Sequence, residues 1–139
     1  ATLRRALEQR NLKVCGNFCM LHLEDASARP ELADDLRRTC DQIGPLGARY
    51  VVLDTVDRWY ESIDMFEVVH PQTILAYGLN GGELPVGNGA PLRLRVERQC
   101  GYKNLKFLKS IQVVDSIAAF GRGTGGLNSD FGFHWYGGV

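Results

Sequence analysis

Residues 80–109 contain the side chains of this chain that are best suited to bind a charged ligand. Asn80, Gly81 and Gly82 predict a tight turn, because Asn and Gly tolerate positive φ angles. Two glycines flank Asn88, and the absence of side chains there lets a ligand approach the backbone closely. The stretch therefore combines a turn with a segment of accessible main chain.

Basic side chains follow this turn on a strand and on the next loop. Arg93 and Arg95 alternate with apolar residues, a strand pattern that puts both guanidinium groups on one face. Residues 101–106 then form a loop rich in backbone donors and lysines. An asparagine, an arginine and a lysine held on short loops around this strand could together bind an anionic, hydrogen-bonding ligand. A solvated hairpin with ordinary surface lysines is the alternative that composition leaves open.

The order of motifs resembles the molybdopterin-binding domain of the sulfite oxidase family. The segments LNGGELPVGNGAPLRLRV and GYKNLKFLKSIQVVD correspond to a turn and strand, followed by a lysine-containing segment and a further strand. The segments YESIDM, HPQTILAYGLN and FGFHWYGGV are similar to bacterial members. The resemblance extends from about residue 48 to residue 139. It is spread over many positions and is more specific than one short motif.

The resemblance implies a molybdenum–molybdopterin-dependent oxidoreductase that catalyses oxygen-atom transfer, of the sulfite oxidase or sulfoxide reductase type. In such enzymes the cofactor carries the difficult chemistry and the protein seats it. Asn88 would bond the pterin, Arg93 the phosphate or pterin oxygens, and Lys106 the phosphate end. The complete implied set of cofactor-binding residues is Thr55, Asn88, Arg93, Asn104, Leu105 and Lys106.

The resemblance also indicates a substrate side and a partner. Asp57, Arg58 and Tyr60 lie just beyond the position that matches a cofactor-contacting threonine, and Arg58 is assigned a catalytic role. A solvent-exposed loop with an Asp–Arg pair is the alternative. The implied substrate is a small oxyanion or a sulfoxide, and electrons would pass through a separate carrier, a cytochrome or a membrane haem protein.

Cys15 is the candidate thiolate ligand of molybdenum, a metal suited to soft ligands. In the family a strand ends in a cysteine near a Gly-Asn pair, which the Val-Cys-Gly-Asn sequence around Cys15 resembles. Animal and plant members have one residue between the cysteine and the glycine, and this chain has none. Cys19, or no cysteine, therefore stays open as an alternative. Cys15, Cys19 and His22 also have a zinc-like spacing, without an evident fourth ligand.

Composition narrows the function classes further. The chain has 139 residues with 16 Lys and Arg against 16 Asp and Glu, and this balance argues against a general nucleic-acid or membrane-surface binder. No apolar run reaches transmembrane length, and no signal peptide is visible, which leaves periplasm and cytoplasm both open. We expect one oxidoreductase domain over residues 1–139, truncated relative to the family. A shortened, non-catalytic domain that acts as a structural or interaction module is the second hypothesis.

The secondary structure predicted from the sequence indicates an α+β domain. It is mostly β, with a mixed sheet and short helices, and resembles the sulfite oxidase molybdopterin-binding fold. Apolar runs and alternation predict strands over residues 49–54, 73–79, 92–96 and 107–114. Residues 121–126 contain G-x-G-x-x-G, but no βαβ unit follows, so they predict a flexible loop and no dinucleotide site. His70 could act as an acid or base, but its position before a proline favours a structural role. Four aromatic side chains are predicted to pack the tail onto the domain: Phe131, Phe133, Trp135 and Tyr136.

Overall fold

Short strands dominate the part of the chain that the computed structural model describes. This part comprises residues 47–139, the strand at 17–18, and isolated positions 5, 9, 34, 38, 41, 42 and 44. The strands are β1 Asn17–Phe18, β2 Tyr50–Thr55, β3 Tyr60–Asp64, β4 Thr73–Ala76, β5 Gly78–Leu79, β6 Gly82–Glu83, β7 Arg93–Val96 and β8 Leu108–Val114. Between them lie the short α-helix Met65–Val68 and the 3-10 helices Val86–Asn88 and Gly101–Lys103, and the short α-helix Leu127–Asp130 follows β8.

The main sheet has the strand order β1-β8-β2-β3. All pairings in it are antiparallel, so the described strands do not form the mixed sheet expected from the sequence. Val51, Val52 and Leu53 of β2 are all buried, which confirms that this continuous apolar run is covered on both faces. The α+β, mostly β class is confirmed.

The core forms between the main sheet and β7. Leu94 and Val96 are buried while Arg95 is exposed, which confirms the predicted alternation of this strand. The apolar side chains of the main sheet and of the β7 region form one cluster: Val51, Leu53, Ile63, Leu92, Leu94, Val96, Leu105, Leu108, Ile111 and Val113. The apolar face of β7 thereby fixes where its arginines point.

The strand predicted over residues 73–79 is divided into β4 and β5. β4 pairs with β7 and β5 pairs with β6, so one run of sequence serves two small sheets. Asn80 and Gly81 have φ angles of 52° and 80°, which confirms the predicted turn between β5 and β6.

The prediction that four aromatic side chains hold the tail onto the domain is wrong for Phe131, which is 67% exposed. The centroid of the Phe133 ring lies 5.3 Å from that of the Tyr102 ring, and Trp135 is half-buried. Trp135 and Tyr136 also hold the segment through polar bonds, to Ser62 and Glu67. No helix within the described residues has the length and apolarity needed to cross a bilayer.

Candidate anion and cofactor site

A turn at residues 86–89 brings the two predicted cations together. The 3-10 helix Val86–Asn88 ends at Gly89, whose φ is 111°. A Cβ atom at Gly89 would lie 2.9 Å from Cβ and Cγ of Lys106 and 3.2 Å from Cβ of Arg93. Glycine is therefore needed twice over, for the left-handed backbone and for the approach of both side chains.

Arg93 and Lys106 have only main-chain partners at this turn. Arg93 Nη1 donates to the carbonyl of Asn88 at 3.0 Å, and Lys106 Nζ donates to the carbonyl of Gly87 at 2.9 Å. No described carboxylate lies within ion-pair distance of either cation, and the buried Arg93 Nε has no partner. Two positive charges without a described counter-charge suit an anionic ligand.

The loop at residues 104–106 adds main-chain donors to this arrangement. Leu105 is buried in the core, and its carbonyl accepts from the amide of Leu94 at 2.8 Å. The amides of Leu105 and Lys106 donate to no described acceptor. These amides and the two cations form what we call the cation cluster: Arg93, Lys106, the turn at 86–89 and the amides of 105–106.

Asn104 shapes this loop with its own side chain. Its Oδ1 accepts from the amide of Val96 at 2.7 Å, and its Nδ2 donates to the carbonyls of Gln99 and Cys100 at 3.2 and 3.0 Å. The side-chain amide is thus fully used within the protein. A contribution of Asn104 to a ligand would come from its main chain.

The turn that follows β2 lies next to the cation cluster. The amide of Phe107 donates to the carbonyl of Gly89 at 3.1 Å, and the amide of Val56 donates to the carbonyl of Phe107 at 3.0 Å. Thr55 also pairs with Leu108 across the sheet. These bonds bring the predicted substrate-side residues beside the predicted cofactor-side residues.

Within this turn, Thr55 and Asp57 are bonded to each other. Thr55 Oγ1 donates to Asp57 Oδ1 and accepts from the amide of Trp59 at 2.8 Å. Asp57 therefore pairs with Thr55 and forms no ion pair with Arg58 among the described residues. Arg58 is exposed with a φ of 69°, an unusual conformation for a residue with a side chain.

Tyr60 points away from this turn and holds the C-terminal segment. Its hydroxyl donates to Asp130 Oδ2 at 2.5 Å. Burial, together with the bond to Asp130, raises the pKa of Tyr60 to about 12. The notion that Tyr60 faces a substrate is therefore not supported by its contacts.

A buried ion pair lies beneath the lysine loop, whose lysines the sequence analysis assigned either to an anionic ligand or to solvent. Lys103 and Glu61 are both fully buried, with Nζ 2.9 Å from Oε2. Lys103 also donates to the carbonyl of Ser62 at 3.0 Å. Burial lowers the pKa of Lys103, and the bond to Glu61 opposes that shift. No sequence pattern joined Glu61 on a strand to Lys103 on a loop, so the pair was missed.

A second buried carboxylate, Glu67, is bonded to Arg98 and Tyr136. Arg98 Nη2 is 2.7 Å and Tyr136 Oη 3.0 Å from Glu67 Oε1. Burial favours a raised pKa for Glu67, but the hydrogen bonds from Arg98 and Tyr136 outweigh it and lower the pKa. His70 is half-buried nearby in sequence, and its Nδ1 accepts from the amide of Gln72 at 3.2 Å. This bond fits the structural role predicted for it.

The proposed metal ligand Cys15, its rival Cys19 and His22 lie outside the described residues. β1 falls between the two cysteines and pairs with β8, Asn17 with Val113 and Phe18 with Gln112. The described ranges contain no cluster of His, Cys, Asp and Glu that could hold a metal ion.

An open groove of about 490 Å³ lies elsewhere, against the C-terminal segment. Its walls include Cys100 and the rings of Tyr102, Phe131, Phe133 and Tyr136. None of its lining residues belongs to the cation cluster, so the groove is a separate feature.

Arg93, Lys106 and the amides of residues 105–106 lie together on an antiparallel α+β frame, an arrangement that could bind a phosphate-bearing group. The chain matches the family described as oxidoreductase molybdopterin binding domain over residues 34–119, and it belongs to that family. The residues present fit a molybdopterin, because its phosphate would find charge and amide donors where the described protein supplies no acceptor.

Three relatives of this chain carry sulfoxide reductase names. A putative protein-methionine-sulfoxide reductase subunit YedZ1 of Azospira oryzae is 39% identical over 93 residues, which are 67% of this chain and 33% of that protein. The protein-methionine-sulfoxide reductase catalytic subunits MsrP of Xanthomonas campestris pv. campestris and Xanthomonas axonopodis pv. citri are each 41% identical over 71 residues, 51% of this chain and 21% of those proteins. The matched stretch thus covers only a third or a fifth of these relatives.

Proposed function

We propose that this chain, as a single domain over residues 1–139, binds a molybdenum–molybdopterin cofactor and serves an oxidoreductase of the sulfoxide reductase or sulfite oxidase type. The observation that carries the proposal is the convergence of Arg93 and Lys106 on one turn without a described carboxylate. A phosphate dianion leaves water only at great cost unless cations and donors meet it. The cation cluster has both.

Each residue of the cluster has a distinct part in this proposal. Lys106 and the amides of Leu105 and Lys106 bind the phosphate, and the main chain of Asn104 lies beside them. Arg93 pairs with phosphate or pterin oxygens through its guanidinium group, and Asn88 bonds the pterin. Thr55 remains a predicted pterin contact, for which its hydroxyl would exchange the bond to Asp57 for one to the ligand.

The proposed metal ligand is the thiolate of Cys15, with Cys19 as the rival. When bound, the cofactor supplies the redox chemistry of oxygen-atom transfer. Cys19 directly follows β1 in the sequence, and Cys15 stands two residues before it. Both cysteines are therefore tested.

The substrate side is assigned to the turn after β2. Arg58 is exposed there and has no described acidic partner, so its guanidinium is available to orient a small oxyanion or a sulfoxide oxygen. The names of the relatives favour a sulfoxide. Electrons would come from a separate carrier, a cytochrome or a membrane haem protein.

The test is the molybdenum content of the full chain, purified from a host that makes the cofactor and measured by plasma mass spectrometry. Two matched pairs decide the role of the cluster: Arg93→Met against Arg95→Met, and Lys106→Met against Lys109→Met. Arg95 is exposed beside Glu97 and Lys109 is exposed on β8. We expect near-stoichiometric molybdenum in the wild type and both controls, and a loss of at least about tenfold in Arg93→Met and Lys106→Met, as removal of a charge-assisted bond implies.

The same measurement on Cys15→Ala and Cys19→Ala assigns the thiolate. Loss of molybdenum in Cys15→Ala alone supports the proposed ligand, and loss in Cys19→Ala alone moves the assignment to the rival. If the wild type and both cysteine variants hold no molybdenum and no pterin, the shortened, non-catalytic module becomes the better hypothesis.

A further inference from the structure

The segment after residue 119 lies beyond the part of the chain that matches the family, yet it completes a buried charge pair inside that part. Glu61 Oε1 accepts two hydrogen bonds from Asn128, one from its amide at 3.0 Å and one from Nδ2 at 2.8 Å. Glu61 Oε2 accepts from Lys103 at 2.9 Å. The buried carboxylate of Glu61 thus receives its hydrogen bonds from two separate segments of the chain.

The same segment covers Lys103 from its other side. The ammonium nitrogen of Lys103 lies 5.0 Å from the ring centroid of Trp135, within the range of a cation–π contact. Trp135 Nε1 also donates to Ser62 Oγ at 2.7 Å. Lys103 is therefore enclosed between β3 and the C-terminal segment.

Two glycines allow the segment to pass this close. A Cβ atom at Gly126 would lie 2.2 Å from Glu61 Oε2, and one at Gly125 would lie 2.6 Å from Ser62 Oγ. Gly125 also has a φ of 76°. The glycine-rich sequence that formally resembles a nucleotide-binding motif is explained here by contact with the ion pair.

Lys103 is the last residue of the 3-10 helix Gly101–Lys103 and stands three residues before Lys106. On one side of the intervening loop Lys103 is fixed by Glu61, and on the other Leu105 is fixed in the core. Neither can move without exposing a buried charge or an apolar side chain. The position of Lys106 relative to the turn at 86–89 is set between these two anchors.

We propose that Glu61, Lys103 and Asn128 form a positioning unit through which the C-terminal segment holds the loop at 104–106 and presents its amides and Lys106 to the ligand. The inference rests on the proposed function for the nature of the ligand. It does not depend on that function for the position of the loop. Lys103 and Asn128 act through the loop and contact no ligand themselves.

The test uses the full chain without cofactor and two readouts. One is amide hydrogen exchange at Asn104 and Phe107, which flank the loop and donate to the carbonyls of Gly101 and Gly89 at 3.0 and 3.1 Å; the other is binding of inorganic phosphate followed by NMR. Asn128→Ala removes one bond to Glu61. Tyr136→Phe is the matched control, because it removes a bond from the same segment to Glu67. We expect exchange at Asn104 and Phe107 to accelerate, and the phosphate Kd to rise, each by about tenfold in Asn128→Ala, the factor that loss of one charged hydrogen bond brings. Both should stay within about twofold in Tyr136→Phe, since a site without shared partners behaves independently.

If Asn128→Ala does not fold, the double variant Glu61→Gln, Lys103→Met replaces it in the test. This variant removes both charges of the buried pair, so neither charge is left buried without its partner. Its loop should exchange faster than that of the wild type while the strands of the main sheet remain protected. Unchanged exchange at Asn104 and Phe107 in every folded variant, or an equal change in Tyr136→Phe, would overturn the inference. If the wild type binds no phosphate, the anion site of the proposed function fails, and the exchange rates alone still decide whether the loop is positioned in this way.

Discussion

Two regions of this domain differ in whether their charged side chains have partners within the protein. Around the C-terminal segment, two buried carboxylates accept hydrogen bonds from nearby donors. Glu61 accepts from Lys103 and Asn128, and Glu67 accepts from Arg98 and Tyr136. At the cation cluster, donors outnumber acceptors, and Arg93 and Lys106 contact only main-chain carbonyls. In the first region the buried charges are neutralised by other residues of the protein. In the second region the positive charges have no described counter-charge and could bind a negatively charged ligand.

This difference separates stabilising charge from binding charge. A buried pair whose partners satisfy each other resists removal of either member, because the survivor is left without water or counter-charge. An exposed cation with no ion-pair partner contributes little to folding and remains available to a ligand. Variants in the two regions should therefore affect different measurements.

The largest effect is expected for Lys103→Met, which leaves Glu61 charged and buried without its cation. We expect a loss of about 3–5 kcal/mol in the free energy of unfolding, measured by urea denaturation. Lys109→Met, at an exposed position, is the control and should behave like the wild type. A loss as small as that of the control would mean that the two regions do not differ as described.

Gly89→Ala should lower stability less than Lys103→Met does, and it should also weaken phosphate binding. A side chain at a φ of 111° is strained by about 1–3 kcal/mol, and its Cβ would displace Lys106 and Arg93. We expect lower stability together with weaker phosphate binding, measured by denaturation and NMR titration. Gly87→Ala has open space around it and should change neither; equal effects at both glycines would argue against the close approach at Gly89.

Tyr136→Phe should change how stability depends on acid. The pKa of Glu67 is below its ordinary value of 4.5, so its contribution to stability is present above that value and is lost as the pH falls through the folded-state pKa. Removal of the Tyr136 hydroxyl brings the folded pKa closer to the ordinary one. The variant should lose less stability than the wild type between neutral and acid pH.

The matched control for this pH dependence is Tyr102→Phe, which removes a bond to the carbonyl of His134, a group that does not titrate. Its thermal midpoint should be displaced by the same amount at every pH. If the stability of Tyr136→Phe falls with decreasing pH as steeply as that of the wild type, the Tyr136 hydroxyl does not lower the pKa of Glu67.

The smallest effect on stability is expected for Lys106→Met. Its ammonium group is exposed and contacts only a carbonyl, so the free energy of unfolding should change by no more than about 0.5 kcal/mol. Phosphate affinity should fall in the same protein. A marked loss of stability would instead place Lys106 among the structural charges and remove the contrast between the two regions.

Much of the fold could be predicted because its signals are local. The apolar run of β2, the alternation of β7 and the turn at Asn80 each follow from a few adjacent residues. The convergence of Arg93 and Lys106 was accessible only through the family resemblance, since no local rule brings a strand and a later loop onto one turn.

The buried ion pairs and the exposed tail could not be predicted in this way. Glu61 and Lys103 are 42 positions apart, and composition favours solvated surface positions for both residue types. The tail aromatics suggested apolar packing, but Phe131 is exposed and hydrogen bonds to Glu61 also hold the segment. Which charge pairs with which is a property of the assembled sheet.

The positions of the two tryptophans give each region its own optical probe. Trp59 lies in the turn beside the cation cluster and is 39% exposed, whereas Trp135 is half-buried against Lys103. In a Trp59→Phe protein the remaining fluorescence reports only release of the C-terminal segment, and in a Trp135→Phe protein it reports only events near Arg58. Emission spectra of these two proteins would follow ligand capture and segment release separately, without any added label.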